Sequence, residues 1–494
     1  MTAPPPGAPH GAAPGAAPPT APGAVPGAVP RVREAGPPDA GRFGPRRTAG
    51  VLRPRSVAEV VDLVRAAAGS RTPLHPVSTG RNWGLGSGLP VEDGAAVLDL
   101  SGLDAVRETD IRRGWAVVEP GVTQGRLTER LAGTERMLNL TGASRHTSVI
   151  GNILERGVGL HRPRAEDLAG LELVLADGAR VRTGWWPAPD GPAVVQPHGR
   201  GPSLNHLFTQ ASWAVVTAAV VRLLPRPRAV RVLPVVFPPD ALAEAVDTLR
   251  AWTAGGSIPA TTKIYDPVAA RTYGIGGPSG PTGSAGAHLA HIALTGDADT
   301  VAARTGVLAA RLREASCPLR EGPSRAADAE VHAAYAGVHD PHDSLFRRKT
   351  AGTCARCLDR VGGLLMFLPV VPFEGAAVAE AAALVGAALA DGAARPGITM
   401  NVLDADTVDH VVTLRFDPAD PVSTAAAHRT LDRLHTTFGA RGWPAYRPDV
   451  DHPLTGAADP VLHGRLAGAL DPHGVFARGR FGPSRSDGGV PYCT

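Results

Sequence analysis

The chain has 494 residues, enough for two or three domains around a sizeable core. Its formal net charge is only +4, carried almost wholly by arginine, with Lys263 and Lys349 the only lysines. No cluster of basic residues marks a nucleic-acid or membrane surface. Four cysteines are too few for a disulfide scaffold, and no apolar run is long enough to span a bilayer. The first residues lack a basic segment followed by an apolar one, so a cytoplasmic location is expected.

Residues 1–40 form an Ala/Pro/Gly tract that cannot bury enough apolar surface to offset its ordering entropy, and they are expected to be disordered. Order is expected from about Arg53. Ser56 reads as the cap of a helix carrying Val57, Val60, Val61 and Val64, and Leu74–Val77 as a strand. Strands follow at 96–100 and 115–119, then a helix capped by Thr123. Asp177-Gly178 between two apolar runs marks a hairpin, and Pro225-Arg226-Pro227 ends a β-rich stretch. Beyond that, helices are expected at 240–254, 303–315, 376–390, 425–438 and 461–470. Strands are expected at 288–294, 363–369 and 409–416. Alternating short strands and helices indicate an α+β domain with one antiparallel sheet covered by helices.

Two glycine-rich segments carry the chemistry. The first runs Ser78-Thr79-Gly80-Arg81-Asn82-Trp83-Gly84-Leu85-Gly86-Ser87-Gly88, and the second Gly151-Asn152-Ile153-Leu154-Glu155-Arg156-Gly157-Val158-Gly159. Neither is a dinucleotide fingerprint or a Walker loop. Glycines let several backbone N–H groups converge on one anion, although a ligand-free glycine turn has the same spacing.

Taken with Glu119-Pro120-Gly121-Val122-Thr123 and Asp471-Pro472-His473-Gly474, these segments make residues 51–228 and the C-terminal tail resemble the vanillyl-alcohol oxidase/p-cresol methylhydroxylase family. The resemblance implies a PCMH-type FAD-binding domain over 41–228, a substrate cap over 229–456, and a tail, 457–494, returning to the FAD domain. It implies FAD contacts at Thr79, Gly80, Arg81, Asn82, Gly84, Gly86 and Ser87 for the pyrophosphate. Gly142, Ser148, Val149, Gly151, Asn152 and Leu154 would lie along the ribityl chain and ring, Val216 near the adenine end, and Arg480 near the cofactor. The positions at which family members attach FAD covalently here read Asn82-Trp83-Gly84 and 362–367, without His, Tyr or Cys. FAD is therefore expected to be dissociable, with His146 the nearest remaining attachment candidate.

The substrate side departs from the phenol-oxidising pattern. Tyr446-Arg447 matches a phenolate-binding pair, since a guanidinium and a phenol hydroxyl suit an oxyanion. Leu85 replaces a loop tyrosine, and Ala143 or Ser144 an acidic residue. Taken singly, Tyr446 reads as cap packing, Arg447 as a surface ion pair and His410 as a satisfied strand histidine. Inside the frame they are the expected catalytic residues, with Leu85, His161 and Arg162 as substrate contacts. Cys354-x-x-Cys357 has no second pair at zinc spacing and reads as structural, and no metal is expected. The resemblance thus implies an FAD-dependent oxidoreductase passing a hydride from a small aromatic alcohol, phenol or secondary-metabolite intermediate to flavin N5. The alternatives are a non-aromatic alcohol, amine or hydroxy acid as substrate, or a non-oxidative cyclisation or rearrangement. Expected partners are a small-molecule substrate and an electron acceptor, oxygen or another, with no nucleic acid or membrane and a homodimer left open.

Overall fold

The structure, a computed structural model, describes residues 34–35, 38–187, 198–199, 201–259, 261–274, 286–323, 326–389, 396–454, 459–477 and 479–482. Most of the expected disordered tract, residues 1–33, lies outside these. Residues 34–35 and 38–40 of it join the fold, contrary to expectation. Glu34–Ala35 pairs with Arg47–Thr48, and Ala40 is buried beside Trp83. The carbonyl of Ala40 accepts from Leu364 N at 2.9 Å, which gives this polar-poor segment the backbone partner it could not find alone.

Strand β1 (Val51–Leu52), helix α1 (Val57–Ser70), β2 (Leu74–Val77) and β3 (Ala96–Asp99) build a small parallel sheet in the order β1-β3-β2. Ser56 caps α1 through a 3.2 Å bond from Glu59 N, and Val60, Val61, Val64 and Ala67 bury one face. The C-terminal residues 475–477 lie against β2. Leu74 N donates to Val475 O at 2.7 Å, and Ala477 N to Leu74 O at 2.8 Å.

A second, five-stranded antiparallel sheet contains β4 (Val106–Asp110), β5 (Trp115–Val118), β6 (Leu168–Val174), β7 (Arg180–Gly184) and β8 (Val215–Arg222) in the order β7-β6-β8-β5-β4. Helix α2 (Gln124–Arg130) and α3 (Val149–Leu154) pack on it. The β6–β7 hairpin turns at Gly178, whose φ of +80° explains the glycine.

The third sheet has eight strands. Its main path links β9 (Ala229–Phe237), β10 (Lys263–Tyr265), β11 (His288–Gly296), β12 (Arg320–Glu321), β13 (Leu364–Phe367), β14 (Gly397–Val402) and β15 (Thr407–Arg415) in the order β12-β9-β11-β10-β14-β15-β13. All pairings are antiparallel. One face packs under helices α4 (Leu242–Ala254), α5 (Ala298–Leu312), α8 (Gly375–Ala388) and α9 (Pro421–Ala440) through a single apolar cluster. Two shorter helices, α6 (Ala326–Tyr335) and α7 (Ser344–Lys349), precede β13, and α10 (Pro460–Leu470) leads into the C-terminal residues that lie against β2. The α+β class and the helix-covered antiparallel sheet match the expectation. Strands β9, β10, β12 and β14 are additions to it.

Candidate functional site

A cavity of about 550 Å³ lies between the two glycine-rich segments and the open face of the eight-stranded sheet. Strand alternation decides which sheet residues reach it. Lys263 and Tyr265 of β10, Thr399 and Asn401 of β14, and Asp409, Val411 and Thr413 of β15 line the cavity. Ile264, Met400, Val408 and Val412 point the other way, into the helix-covered core.

The glycine-rich wall leaves its backbone open to the cavity. Gly80 has a φ of +66°, and Thr79, Gly80, Arg81, Asn82 and Ser87 all line the cavity. Asn82 Nδ2 donates to Ser87 Oγ at 2.7 Å, which closes the loop. From the second segment, Ser148 caps α3 by accepting from Gly151 N at 3.0 Å. A Cβ on Gly151 would stand 2.4 Å from Ser78 Oγ, so only glycine lets the two segments approach. Gly142, Ser148, Gly151, Asn152, Leu154 and Val216 line the same space. Three of its buried polar atoms, Thr79 Oγ1, Thr147 Oγ1 and Asn152 Oδ1, have no hydrogen-bond partner among the described residues. A glycine cradle with orphaned polar atoms, opening on a cavity of this size, fits a large polar cofactor such as FAD. Arg480 closes this wall, paired to Glu155 at 3.0 Å and donating to Pro448 O at 3.1 Å.

Three expected FAD contacts lie outside the lining. Gly84 and Gly86 turn toward the cap instead. A Cβ on Gly84 would stand 3.0 Å from Met366 N, and one on Gly86 2.5 Å from Val450 Cγ1. Their positive φ values serve that close packing. Val149 begins α3 with its side chain in the core, 1% exposed. His146 is also outside the lining, and its imidazole is held below the usual range by burial. Cavity histidines are His75, whose Nε2 meets Ser87 O at 3.0 Å, and His339.

On the opposite wall, register aligns three polar residues across adjacent strands. Lys263 pairs with Asn401, and Asn401 with Asp409. Lys263 Nζ donates to Asn401 Oδ1 at 2.5 Å, and Asn401 Nδ2 to Asp409 Oδ2 at 2.9 Å. Burial holds the Lys263 ammonium down to about 7 and pushes the Asp409 carboxyl up to about 6. Asp409 Oδ1 has no hydrogen-bond partner among the described residues. Beside this row sit Tyr446 and Arg447, both lining the cavity as expected. Gln210 Nε2 fixes the Tyr446 backbone at 2.8 Å, and Arg447 reaches across to Asn82 Oδ1 at 2.6 Å. Burial, and then the charge of Asp409, raises the Tyr446 phenol well above its ordinary value, so it stays a hydrogen-bond donor.

The other expected residues are elsewhere. His410 is one residue out of phase and sits on the helix-covered face with no side-chain partner among the described residues. Leu85 is buried outside the cavity, its carbonyl accepting from Val450 N. Arg162 is locked to Asp167 at 2.8 Å, and His161 Nε2 to Tyr335 O at 3.1 Å. It is Tyr335 that lines the cavity. Lys263, Asn401, Asp409 and Lys349 were missed. The available signal was the scarcity of lysine, both copies of which line this one cavity. Cys354 and Cys357 form a disulfide.

Fold and site together are those of a flavin-nucleotide-binding protein. Residues 48–184 match the family model described as an FAD binding domain. Over 183 residues the chain is 39% identical to 1'-carboxy-chondrochloren decarboxylase of Chondromyces crocatus, covering 36% of this chain and 34% of that protein. Over 211 residues it is 33% identical to the 4-cresol dehydrogenase (hydroxylating) flavoprotein subunit of Pseudomonas putida, covering 41% and 40%. The matched region thus spans about a third to two-fifths of the length of these curated relatives. The fold is similar to that of p-cresol methylhydroxylase with substrate bound, with TM-score 0.76, 23% identity, and coverage of 89% of this chain and 90% of that one. It is equally similar to 4-ethylphenol oxidase from Gulosibacter chungangensis, with TM-score 0.77, 23% identity and the same coverage. The chain thus carries an FAD binding domain, and its fold is the PCMH-type fold. No helix among the described residues is long and apolar enough to cross a membrane.

Proposed function

We propose that this protein oxidises a small organic molecule, using FAD held without a covalent link. The cavity's two-sided construction carries the reading. One wall is a glycine cradle with orphaned polar atoms, and the other a hydrogen-bonded row of buried polar side chains. Thr79, Gly80, Asn82 and Ser87 would hold the pyrophosphate. Gly142, Ser148, Gly151 and Asn152 would follow the ribityl chain and ring. Val216 and Arg480 would complete the site. When bound, the flavin supplies the acceptor for a hydride from the substrate.

The chain's own residues position the substrate and manage its proton. Tyr446 and Arg447 donate to a substrate oxygen. Arg447 can do so without moving, because Asn82 already holds its fork against the cofactor wall. Asp409, with Oδ1 free and its carboxyl tuned near neutrality, accepts the proton that the oxidised carbon's substituent gives up. The apolar side chains of Leu364, Met366, Leu368 and Val411 exclude water around them. Relatives named for cresol dehydrogenation support an aromatic substrate. A second reading, loss of a carboxyl group coupled to oxidation, is favoured by the 39% identity to a protein named as a decarboxylase.

Purified protein should be yellow, and its flavin absorbance should bleach anaerobically with at least one member of a panel of phenols, aryl alcohols and aryl acids. A colourless protein, or a flavin bleached by none of them, would overturn the reading. Carbon dioxide release on bleaching would select the second.

A further inference from the structure

The cavity carries positive charge that substrate oxidation as described leaves unused. Lys263 and Lys349, the only lysines of the chain, both line it. They arrive from separate elements, β10 and the end of α7. Each donates to a neutral acceptor: Lys263 Nζ to Asn401 Oδ1, and Lys349 Nζ to Gly142 O at 2.9 Å. Among the described residues neither ammonium has a carboxylate within ion-pair distance. An ammonium carries three N–H groups, so each keeps donors to spare.

The cavity's acids are mostly engaged. Glu155 pairs with Arg480, and Glu330 with Arg348 at 2.6 Å. Asp340 accepts from the backbone of His342 and Ser344. Asp343 accepts from Ser144 Oγ at 2.5 Å and Arg145 N at 3.0 Å. These last bonds pin the start of α7, with Asp343 itself at a φ of +57°, against the 142–145 loop. That backbone conformation is costly for a residue with a side chain. The helix that carries Lys349 is therefore held in register with the cofactor wall. The charge of Asp409 reaches Lys263, but that carboxyl already accepts from Asn401 beside Arg447.

We propose that the substrate of this site carries a carboxylate, received by Lys263 and Lys349, and that these two residues select organic acids over their neutral analogues. This rests on the cavity being the oxidation site proposed above. A carboxylate offers one oxygen to each point-charge donor, whereas a phenolate has a single oxygen, already served by Tyr446 and Arg447. The two lysines are near enough that the charge of Lys349 helps hold Lys263 below its ordinary value, and a bound anion relieves that repulsion.

Scarcity of lysine makes the test direct. Apart from the terminal amine, acetic anhydride has only Lys263 and Lys349 as amine targets in the full-length holoprotein, and peptide mass spectrometry reads each separately. The probes are benzoate, 3-(4-hydroxyphenyl)propionate and hexanoate, each beside its amide. At saturation at least one acid should slow acetylation of both lysines roughly tenfold, the equivalent of about 1.4 kcal/mol, while its amide does not. Equal protection by acid and amide would overturn charge selection, and no protection by any acid would overturn the site. In calorimetry, Lys349→Met and Lys263→Met should each weaken the protective acid roughly tenfold and leave FAD content unchanged. A variant that binds it as tightly as the parent sinks the proposal, and Lys349→Met suffices if Lys263→Met does not fold. Labelling needs no turnover, so a flavin that no substrate bleaches would defeat the oxidation reading without touching this result.

Discussion

Asp409 and His410 are adjacent in the chain and face opposite sides of one sheet. Asp409 accepts from Asn401 in the cavity, whereas His410 lies with Val408 and Val412 on the helix-covered side, fully buried. Strand alternation alone separates them. A histidine is the more usual proton carrier near neutral pH, but burial here drives His410 down to about 4 and lifts the neighbouring carboxyl into the working range.

Asp409→Asn should therefore lower turnover at least a hundredfold, the usual scale for a lost general base, without loss of FAD. Turnover of the parent should rise with pH as Asp409 loses its proton near pH 6. His410→Leu should leave turnover unchanged, and it should not destabilise the protein, because the imidazole has no partner among the described residues to lose. Steady-state rates across pH 5–8 for the three proteins check this. A His410→Leu enzyme that is as impaired as Asp409→Asn would refute the assignment.

Long periodic elements were legible. Helix α1, its Ser56 cap and the Asp177-Gly178 hairpin stand where pattern and turn chemistry place them. That the two glycine-rich segments face one cavity was legible because glycine reports backbone geometry directly. The opposite wall was not. Strand β10 is three residues long, too short for a period to declare itself, and β9 contains Pro234, a residue that argues against a strand. Both derive their strand character from the neighbours they pair with. Parity was the other loss. The run Asp409-His410-Val411-Val412 reads as a strand either way, and only its pairing to β14 shows which residue reaches the cavity.

Gly86 joins the cofactor loop to the cap. At a φ of +62°, with Val450 and Phe43 against its α-carbon, it has no room for a methyl group. Gly86→Ala should cost on the order of 1–3 kcal/mol through backbone strain and overpacking. Denaturant unfolding should register that loss. Gly133, whose φ is +72° with nothing near its α-carbon, serves as the control for strain alone, so Gly133→Ala should cost less.

Arg480 is 6% exposed and is the sole ion-pair partner of Glu155 among the described residues. Arg480→Met would leave that carboxylate at the cavity wall without its counter-charge. Breaking a buried pair from one side costs roughly 3–5 kcal/mol. The expected outcome is a lower melting temperature together with FAD lost on gel filtration. Removing both charges, as Arg480→Met with Glu155→Leu, should recover part of the stability but not the FAD. Retention of cofactor by Arg480→Met would argue against a role in holding it.

Acid precipitation should release all of the FAD into the supernatant. His75, one of the cavity histidines, is engaged with Ser87 O, and burial holds it near 4. Flavin fluorescence that stays with the denatured chain would overturn the non-covalent reading.

Lys263 should be a burden on stability, as a residue kept for binding often is. It is 8% exposed, and its only hydrogen bond among the described residues goes to a neutral amide. Around it stand Asn401, Asp409, Lys349 and His291, and none of these supplies a close counter-charge. Unfolded, the ammonium keeps its proton to about 10.5, whereas folded it releases it near 7. Between those values the unfolded chain binds more protons, so this residue's contribution to stability improves as pH rises. At and below pH 7 the full penalty applies. Lys263→Met removes it and should melt higher than the parent at pH 7, with the gap narrowing toward pH 9. Melting curves at the two pH values, without ligand, decide the matter. A variant less stable than the parent at pH 7 would mean that the lysine supports the fold instead of waiting for an anion.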